Sequence, residues 1–325
     1  MCTSLTLNGT GSYFGRNMDV EYTFGERVVV TPRGAPLPFR QTPGPRTHHA
    51  LIGMSTVAAG YPLYAEAMNE KGLYMAGLNF PESAHYAAER DESRDNVSPF
   101  ELIPWVLGQC GALADARALL GRLHLVDAPF SREMPSAPLH WHVADASGAL
   151  VVEPLESGVK IYEDPVGVLT NEPPFDFHLH NLRQYLNLTP TQPSNRFCDR
   201  LGAAPFGQGM GGVGLPGDCS PASRYVRAAF LKVHSACPTE ESAAVSQFLH
   251  ILDAVAMVRG SVVTPQGKDD ITSYACCISA GTGTYYYKTY DNCQLTAVSL
   301  FHEDLDGTAL REFPLAAAGQ VLRVN

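Results

Sequence analysis

The 325-residue sequence contains eight cysteines but no Cys-x-x-Cys pair. Cysteine pairs at that spacing are typical of structural zinc sites, so such a site has no support here. Basic residues are also few. The sequence has 23 Lys and Arg and 33 Asp and Glu, which gives a formal net charge of −10. Without a long basic run, the sequence does not favour nucleic acid as a partner.

Long apolar runs are absent too. No stretch approaches the roughly 20 apolar residues that a membrane-spanning helix needs. The first residues show neither the basic region nor the apolar region of a secretory signal. We therefore expect a cytoplasmic protein without stable membrane association, in which most cysteines are free thiols.

What the sequence does contain is typical of a large globular fold. Hydrophobic residues make up 45% and charged residues 17%, which supports a substantial core and argues against disorder. Segments with strand character lie at both ends and in the middle of the chain, and helical segments separate them without a regular βαβ order. We therefore predict an α+β fold in which helices are layered on mixed antiparallel sheets.

One domain is expected to span residues 1–325. The first strand reads CTSLTL, and Asn8-Gly9 supplies a hairpin turn before the next strand. The segment TSYACCISA near the other end also has strand character, and we expect such strands to complete the sheet that begins at Cys2. Between them, the segment from Pro190 to Gly217 is rich in Pro and Gly and has little periodicity, which indicates a functional rim or an assembly arm.

The second residue raises a chemical question, because methionine aminopeptidase removes Met1 best when the next residue is small. Removal would leave Cys2 with a thiol and an α-amine, whose reference pKa values are about 8.5 and about 7.7–8.0. The amine could take the proton of the thiol, Arg16 would favour the thiolate, and Asp19 could orient the amine. At this point chance remains an alternative, because each of these residues is common by itself.

Several long segments resemble one known family. They are MCTSLTLNGTGSYFGRNMDVEYTFGERVVVTPRG, YPLYAEAMNEKGLYMAGLNFP, APLHWHVAD, VLTNEPPFDFH, GMGGVGLPGDCSPASRYVRAAF, FLHILDAVAMVRG and YYYKTYDNCQLTAVSL. In the same order and over nearly the whole chain, they resemble the choloylglycine hydrolases, the bile salt hydrolases and penicillin V acylases of the N-terminal-nucleophile superfamily. The resemblance implies a four-layer αββα sandwich, in which two stacked antiparallel sheets lie between helical layers.

The resemblance also implies a catalytic cluster. Its six positions, all filled as the family expects, are Cys2, Arg16, Asp19, Asn79, Asn171 and Arg224. Cys2 would attack an amide carbonyl to form a thioester, while the Asn171 side chain and a backbone N–H near Asn79 hold the developing oxyanion. The Cys2 amine would protonate the leaving amine and then activate the water that releases the acyl group, so no metal or organic cofactor is needed.

Taken alone, these positions have ordinary structural explanations. Asn171 could be a turn residue, Asn79 could end a strand, and Arg224 could be a salt-bridged surface group. The functional interpretation rests on their occurrence together in matching segments. His140 and His142 could share one face of a strand as metal ligands, but no third ligand is apparent, so no metal site is predicted.

The acyl group is predicted from the resemblance. Bile salt hydrolases usually carry Asn at the position of Asn79, whereas penicillin V acylases usually carry Tyr, which favours a conjugated bile salt as the substrate. A steroid needs a wide apolar slot, and the residues in loops that line this slot in relatives are Met18, Phe24, Tyr61, Phe130 and Met134. A penicillin V acylase or an acyl-homoserine lactone acylase with the same catalytic cluster remains an alternative, and a non-enzymatic binding protein would require a degraded cluster.

Two further expectations concern the conjugate and the assembly. Many relatives have a Ser-Arg pair where this sequence has Gly207 and Gln208, and a missing Arg removes one partner for the sulfonate of taurine. We therefore count Gln208 among the substrate-binding candidates and expect a tilt toward glycine conjugates.

The family is commonly tetrameric, with a segment of the 190–217 type reaching a neighbour's site, so a homotetramer is expected, and bile-salt activity would imply a gut bacterium.

Overall fold

The computed structural model of the chain describes residues 1–45, 47–316, 318–319 and 321–325. Its strands are β1 (Cys2–Asn8), β2 (Ser12–Val20), β3 (Arg27–Thr31), β4 (Leu51–Ala58), β5 (Tyr61–Asn69), β6 (Tyr74–Asn79), β7 (Asp95–Val97), β8 (Leu123–Leu125), β9 (Leu139–Asp145), β10 (Gly148–Leu155), β11 (Gly158–Glu163), β12 (Val168–Leu169), β13 (Ile271–Ser279), β14 (Thr284–Thr289), β15 (Thr296–Ser299) and β16 (Arg311–Pro314). Its α-helices are α1 (Leu102–Gln109), α2 (Leu113–Leu120), α3 (Phe175–Asn181), α4 (Pro221–Val233) and α5 (Glu241–Asp253).

Most strands belong to two large sheets. The six-stranded sheet has the order β12-β1-β2-β13-β14-β15, and the eight-stranded sheet has the order β11-β10-β9-β6-β5-β4-β3-β16. Neighbouring strands in both sheets are antiparallel. Strand β13 pairs along β2, with Cys276 opposite Arg16. The late strands therefore complete the sheet that begins at Cys2, as expected.

The two sheets stack face to face, and helices cover their outer faces. In β3, Val28 and Val30 join the core between the sheets, whereas Val29 joins the core against α1 and α2. This division follows from the two-residue repeat of a strand. On the other side, Phe248 and Leu252 of α5 pack on the six-stranded sheet. The layers run α, β, β, α, which confirms the expected four-layer sandwich.

The same repeat divides the residues of β1 and β2 between two environments. Ser4 contacts the Tyr74 hydroxyl and His142 of the other sheet, so the even-numbered side chains of β1, including Cys2, face the space between the sheets. Thr3 on the opposite face contacts Arg224 of α4. A residue at the beginning of β1 can therefore meet groups from both sides of the sheet.

Several short elements were not predicted. Strands β7, β8, β12 and β16 have two to four residues each, which is too short to show a repeat. The segment FDFHLHNLRQYLNL is α-helical at Phe175–Asn181 and continues as a 3₁₀ turn at Leu182–Tyr185. In the described residues, no helix is both long and apolar enough to cross a membrane.

Gly15 in the middle of β2 allows a close approach to β13. A Cβ atom at this position would lie 2.0 Å from the backbone carbonyl oxygen of Cys276, and a backbone atom cannot rotate away as a side chain can. We expect Gly15→Ala to lower the free energy of unfolding by about 1–3 kcal/mol, measured by urea unfolding. The control is Gly281→Ala, whose Cβ has no heavy atom within 4 Å; an equal loss in both variants would contradict the explanation.

Candidate active site

Cys2 is the first residue of β1 and only 3% exposed. Its backbone N–H donates to Oδ1 of Asn171 at 2.9 Å, and its carbonyl oxygen accepts from Nη1 of Arg224 at 2.6 Å. The ends of chains usually fray, but here side chains from distant segments hold both backbone groups. The position of the thiol is therefore well defined.

The guanidinium of Arg16 lies in the same cavity as Cys2. Arg16 is fully buried, and its Nη1 donates to the carbonyl oxygen of Gly77 at 2.6 Å. Burial lowers the pKa of Arg16, but the acidic groups of Cys2, Tyr274 and Glu66 outweigh this effect, so that the pKa lies above its ordinary value. Arg16 thus brings a permanent positive charge to the thiol side of the sheet.

Glu66 balances the charge of Arg16 from the facing sheet. Its Oε2 lies 3.7 Å from Nη1 of Arg16, and both side chains are inaccessible to solvent. The hydroxyls of Tyr274 and Tyr285 donate to Glu66 at 2.8 and 2.5 Å. Burial raises the pKa of Glu66, whereas Arg16 and the two hydroxyls lower it. A buried charge is tolerated only with such partners, so this network holds Arg16 in place.

Asp19 and Arg224 supply charges on the helix side of the sheet. Thr272 donates to Oδ1 of Asp19 at 2.6 Å, while Oδ2 has no hydrogen-bond partner among the described residues. Burial raises the pKa of Asp19, and the positive charges of Arg224 and the terminal amine of Met1 lower it. Burial lowers the pKa of Arg224, and Asp19 opposes that effect. The two residues therefore place opposite charges that influence each other on this side of the sheet, and Arg224 contacts the Cys2 backbone.

The start of α4 explains the position of Arg224. Ser220 caps the helix by accepting from the N–H of Ser223 at 3.4 Å, and Pro221 occupies the first turn. Arg224 follows in the first turn and donates from Nε to the carbonyl oxygen of Cys219 at 3.0 Å. The capped start of the helix thus directs this guanidinium toward the beginning of β1.

Asn171 connects the nucleophile with the segment around Asn79. Its Oδ1 accepts from the Cys2 N–H and also from Nη2 of Arg224 at 2.7 Å. Its Nδ2 donates to the carbonyl oxygen of Asn79 at 2.8 Å, and Asn79 itself ends β6 with an exposed side chain. The structure therefore brings all six predicted catalytic positions together, and the oxyanion role of the two asparagines stays a prediction.

Glu172 joins the loop that bears Asn171 to the loop that follows Asn79. The sequence did not predict this role. Its carboxylate accepts from the N–H of Glu82 at 3.0 Å, and from the N–H and hydroxyl of Ser83 at 2.9 and 2.8 Å. Glu82 and Ser83 lie in the loop that follows the strand ending at Asn79. The loop bearing Asn171 is consequently clamped to the loop bearing Asn79.

Two buried histidines contact the backbone of the loop that bears Asn171. His140 lies 3.1 Å from Oε1 of Glu153 and 3.0 Å from the carbonyl oxygen of Thr170, while His178 contacts the carbonyl oxygen of Asn171 at 3.0 Å. Burial lowers the pKa of His178 to about 4. Among the described residues, no group of three His, Cys, Asp or Glu side chains could hold a metal ion.

A cavity of about 530 Å³ opens in front of Cys2 and Arg16. This volume is within the usual range for small-molecule sites. Met18, Phe24, Phe130 and Met134, four of the predicted substrate-binding residues, lie in its wall. The other apolar or aromatic lining residues, which the sequence did not single out, are Val20, Tyr22, Leu63, Tyr64, Ala65, Pro99, Phe100, Pro135, Ala137 and Leu139.

Two predicted substrate-binding residues lie elsewhere in the structure. Tyr61 is 6% exposed and packs behind the wall, with its ring centroid 5.7 Å from that of Phe100 and 6.1 Å from that of Phe130. Gln208 lies on the exposed 190–217 segment, where it accepts from Gln192 at 3.0 Å. Both positions depend on tertiary structure. A strand residue next to a cavity, such as Tyr61, can face either side of its sheet. An extended segment, such as the one that carries Gln208, can lead away from the cavity of its own chain.

The chain is similar in sequence and in structure to proteins of one family. Residues 2–313 match the family model described as linear amide C-N hydrolases, choloylglycine hydrolase family. The chain is 46% identical over 325 residues, which is 100% of both chains, to the "Bile salt hydrolase/transferase" of Lactiplantibacillus plantarum. It also matches a solved structure of a variant of the conjugated bile acid hydrolase from Clostridium perfringens, with a TM-score of 0.93, 37% identity and 100% coverage of both chains.

A more distant structural likeness concerns the fold alone. The penicillin V acylase from Agrobacterium tumefaciens superposes with a TM-score of 0.73 at 22% identity, covering 98% of this chain and 95% of that one. The family model spans nearly the whole chain, and a relative over 40% identical covers all of it. The chain therefore belongs to the choloylglycine hydrolase family of linear amide C-N hydrolases.

Proposed function

We propose that this protein hydrolyses the amide bond of conjugated bile salts and releases the free bile acid with glycine or taurine. The observation that carries the proposal is the position of Cys2, which is held by Asn171 and Arg224 beside a largely apolar cavity. The relatives that match the whole chain bear names for this reaction. Amide hydrolysis by an N-terminal cysteine requires this combination of a fixed backbone, nearby charges and an acyl-binding cavity.

The first step requires removal of Met1, which converts the backbone nitrogen of Cys2 into an α-amine. Because that nitrogen already donates to Oδ1 of Asn171, the new amine keeps a hydrogen-bond acceptor. It can accept the thiol proton, after which the sulfur attacks the amide carbonyl of the substrate. Arg16 supports the developing thiolate by its charge, and the Asp19 carboxylate, whose pKa the terminal ammonium of Met1 already lowers, favours the protonated amine.

The second step is the collapse of the tetrahedral intermediate. The Asn171 amide and a backbone N–H near Asn79 are the proposed donors to the oxyanion, and the loss of one such donor typically costs about 10²–10³ in rate. The Cys2 ammonium gives its proton to the nitrogen of the leaving amine as the C–N bond breaks. Water then attacks the thioester with help from the same amine, and the thiol is restored.

The cavity suits a rigid apolar acyl group. Its wall includes the apolar side chains of Met18, Phe24, Phe100, Phe130 and Met134. Burying the apolar rings of a steroid against these side chains would contribute most of the binding free energy, at roughly 25 cal/mol per Å² of apolar surface. We infer that the acyl chain of the bile salt carries its amide to Cys2 from this slot.

Assembly and location are part of the same proposal. The 190–217 segment exposes Phe197, Leu201 and Phe206 to solvent in the single chain, and large exposed apolar side chains mark interaction surfaces. We infer that this arm packs on a second copy within a homotetramer and brings Gln208 to the rim of a neighbouring site. We also propose that the protein works in the cytoplasm.

Substitution of the nucleophile is expected to abolish turnover. We expect Cys2→Ala to lower kcat for glycocholate by at least about a thousandfold, with an unchanged circular dichroism spectrum, because alanine has no nucleophilic atom. The matched control is Cys293→Ala, which removes an exposed thiol and should retain turnover. Mass spectrometry must show that Met1 is removed from each protein, and turnover by the Cys2→Ala protein would refute the assignment.

Loss of the Glu172 clamp is expected to slow the reaction without removing substrate affinity. We expect Glu172→Ala to lower kcat about tenfold with little change in KM, because the oxyanion donors lose their mutual alignment. Glu82→Ala is the control. Glu82 contacts the Glu172 carboxylate through its backbone N–H and not through its side chain, so the substitution leaves this hydrogen bond in place. Equal kinetic effects in the two variants, or a change confined to KM, would argue against alignment as the role of Glu172.

The conjugate preference follows from the residues at positions 207 and 208. We expect faster hydrolysis of glycocholate than of taurocholate, because Gln208 offers a sulfonate no positive charge. Both substrates and penicillin V should be assayed with one preparation from which Met1 is fully removed. Equal or faster taurocholate hydrolysis would contradict the preference, and faster turnover of penicillin V would favour the alternative acylase function.

A further inference from the structure

One wall of the cavity is a loop without regular secondary structure. This wall loop, residues 127–138, lies between β8 and β9. It supplies five residues of the cavity lining, which are Phe130, Met134, Pro135, Ser136 and Ala137. A segment without a helix or a strand keeps its position only through the contacts that it makes with the rest of the fold. The shape of the cavity therefore depends on the groups that hold this loop.

Tyr86 holds the second end of the wall loop. Its hydroxyl donates to the carbonyl oxygen of Ala137 at 2.8 Å and accepts from the N–H of Leu139 at 2.9 Å. In the middle of the loop, the backbones of Ser131 and Met134 exchange two hydrogen bonds of 3.3 Å. Because these two bonds stay within the loop, they fix its local shape but not its distance from the rest of the cavity wall.

Arg40 holds the first end of the wall loop. Its Nη1 donates to the carbonyl oxygens of Pro129 and Phe130 at 3.1 and 2.6 Å. Its guanidinium carbon also lies 4.7 Å from the ring centroid of Phe130 and 5.1 Å from that of Phe100. The two rings meet edge to face, with their centroids 5.3 Å apart. A cation attracts the faces of aromatic rings, so one side chain joins the backbone and the ring of Phe130 to Phe100.

Arg40 is itself anchored to the element that carries Phe100. Its backbone N–H donates to Oε1 of Glu101 at 2.6 Å, and Glu101 is fully buried. The other carboxylate oxygen of Glu101 accepts from the N–H of Ser98 at 3.2 Å, in a capping box at the start of the 3₁₀ turn Pro99–Glu101. Arg40 therefore reaches the wall loop from a fixed backbone, although its side chain is exposed.

We propose that Arg40 is a positioning residue for the acyl-binding cavity. It is not among the residues that line the cavity, and it acts by holding Phe130 against Phe100. A rigid acyl group binds best to a wall that is already in place, because ordering a loose loop on binding reduces the affinity. The inference rests on the proposed function, since it takes the acyl group to be that of a bile salt.

Hydrogen exchange measured by mass spectrometry tests the effect of Arg40 on the loop without any ligand. In Arg40→Gln we expect the amides of residues 130–137 to exchange at least about tenfold faster, because the first end of the loop is released. Exchange elsewhere should stay unchanged, which also shows that the variant is folded. Arg132→Gln is the matched control, since it removes an exposed guanidinium from the loop itself. Unchanged exchange in Arg40→Gln, or equal acceleration in both variants, would overturn the inference.

Kinetics with glycocholate test the consequence for binding. We expect Arg40→Gln to raise KM about tenfold and to change kcat less than about twofold, because Arg40 shapes the cavity and takes no part in the chemistry. Arg132→Gln removes the same charge and should keep the KM of the unsubstituted enzyme. In a Phe130→Ala background, Arg40→Gln should raise KM less than about twofold further, because residues that act through one another have non-additive effects.

Three kinetic results would contradict the inference. They are an unchanged KM in Arg40→Gln, a loss confined to kcat, and a full tenfold effect of Arg40→Gln in the Phe130→Ala background. Absence of glycocholate hydrolysis by the unsubstituted enzyme would instead refute the proposed function. The exchange measurement would then still decide whether Arg40 holds the wall loop.

Discussion

The restraint on the Cys2 backbone is the interaction on which the rest of the site depends. Asn171 accepts from its nitrogen and Arg224 donates to its carbonyl, and these two side chains also contact each other. A nucleophile at the end of a chain would otherwise be among the most mobile groups of the protein. Cys2 also pairs with Met18 of β2, and β12 supports the other edge of β1 at Ser4 and Leu5. The backbone of Cys2 is therefore held firmly by groups from distant segments of the chain.

The six-stranded sheet separates the charged residues near Cys2 into two groups. Arg16 and Glu66 lie between the two sheets, whereas Asp19 and Arg224 lie on the helix side. Arg16 lies 3.7 Å from the buried carboxylate of Glu66, and the buried guanidinium of Arg224 donates to Asn171 and to the Cys2 carbonyl, so each cation has polar partners in a medium of low dielectric constant. The thiol is supported by charge from one face, and the nitrogen of the same residue is supported from the other. Cys2, at the beginning of β1, lies close to charged groups from both faces.

Much of this arrangement was predictable because it follows local rules. The two-residue repeat of β1 and β2 and the turn at Asn8 predicted the first hairpin, and the segment around Cys276 has the strand character expected of the sheet's completion. Four of the six predicted pocket residues lie in the cavity wall. Glu172 was missed, since an acid beside a proline-rich turn carries no pattern that distinguishes a clamp from a solvated charge.

By itself, the sequence determined the thiol at position two, the strand and helix periodicities, and a family resemblance strong enough to indicate amide hydrolysis. Only the tertiary structure decided which groups surround that thiol. Residues separated by more than 200 positions, such as Cys2 and Arg224, meet because β13 pairs with β2 and α4 packs on β1. Such contacts depend on how the sheets and helices pack, and local sequence patterns contain no record of that packing.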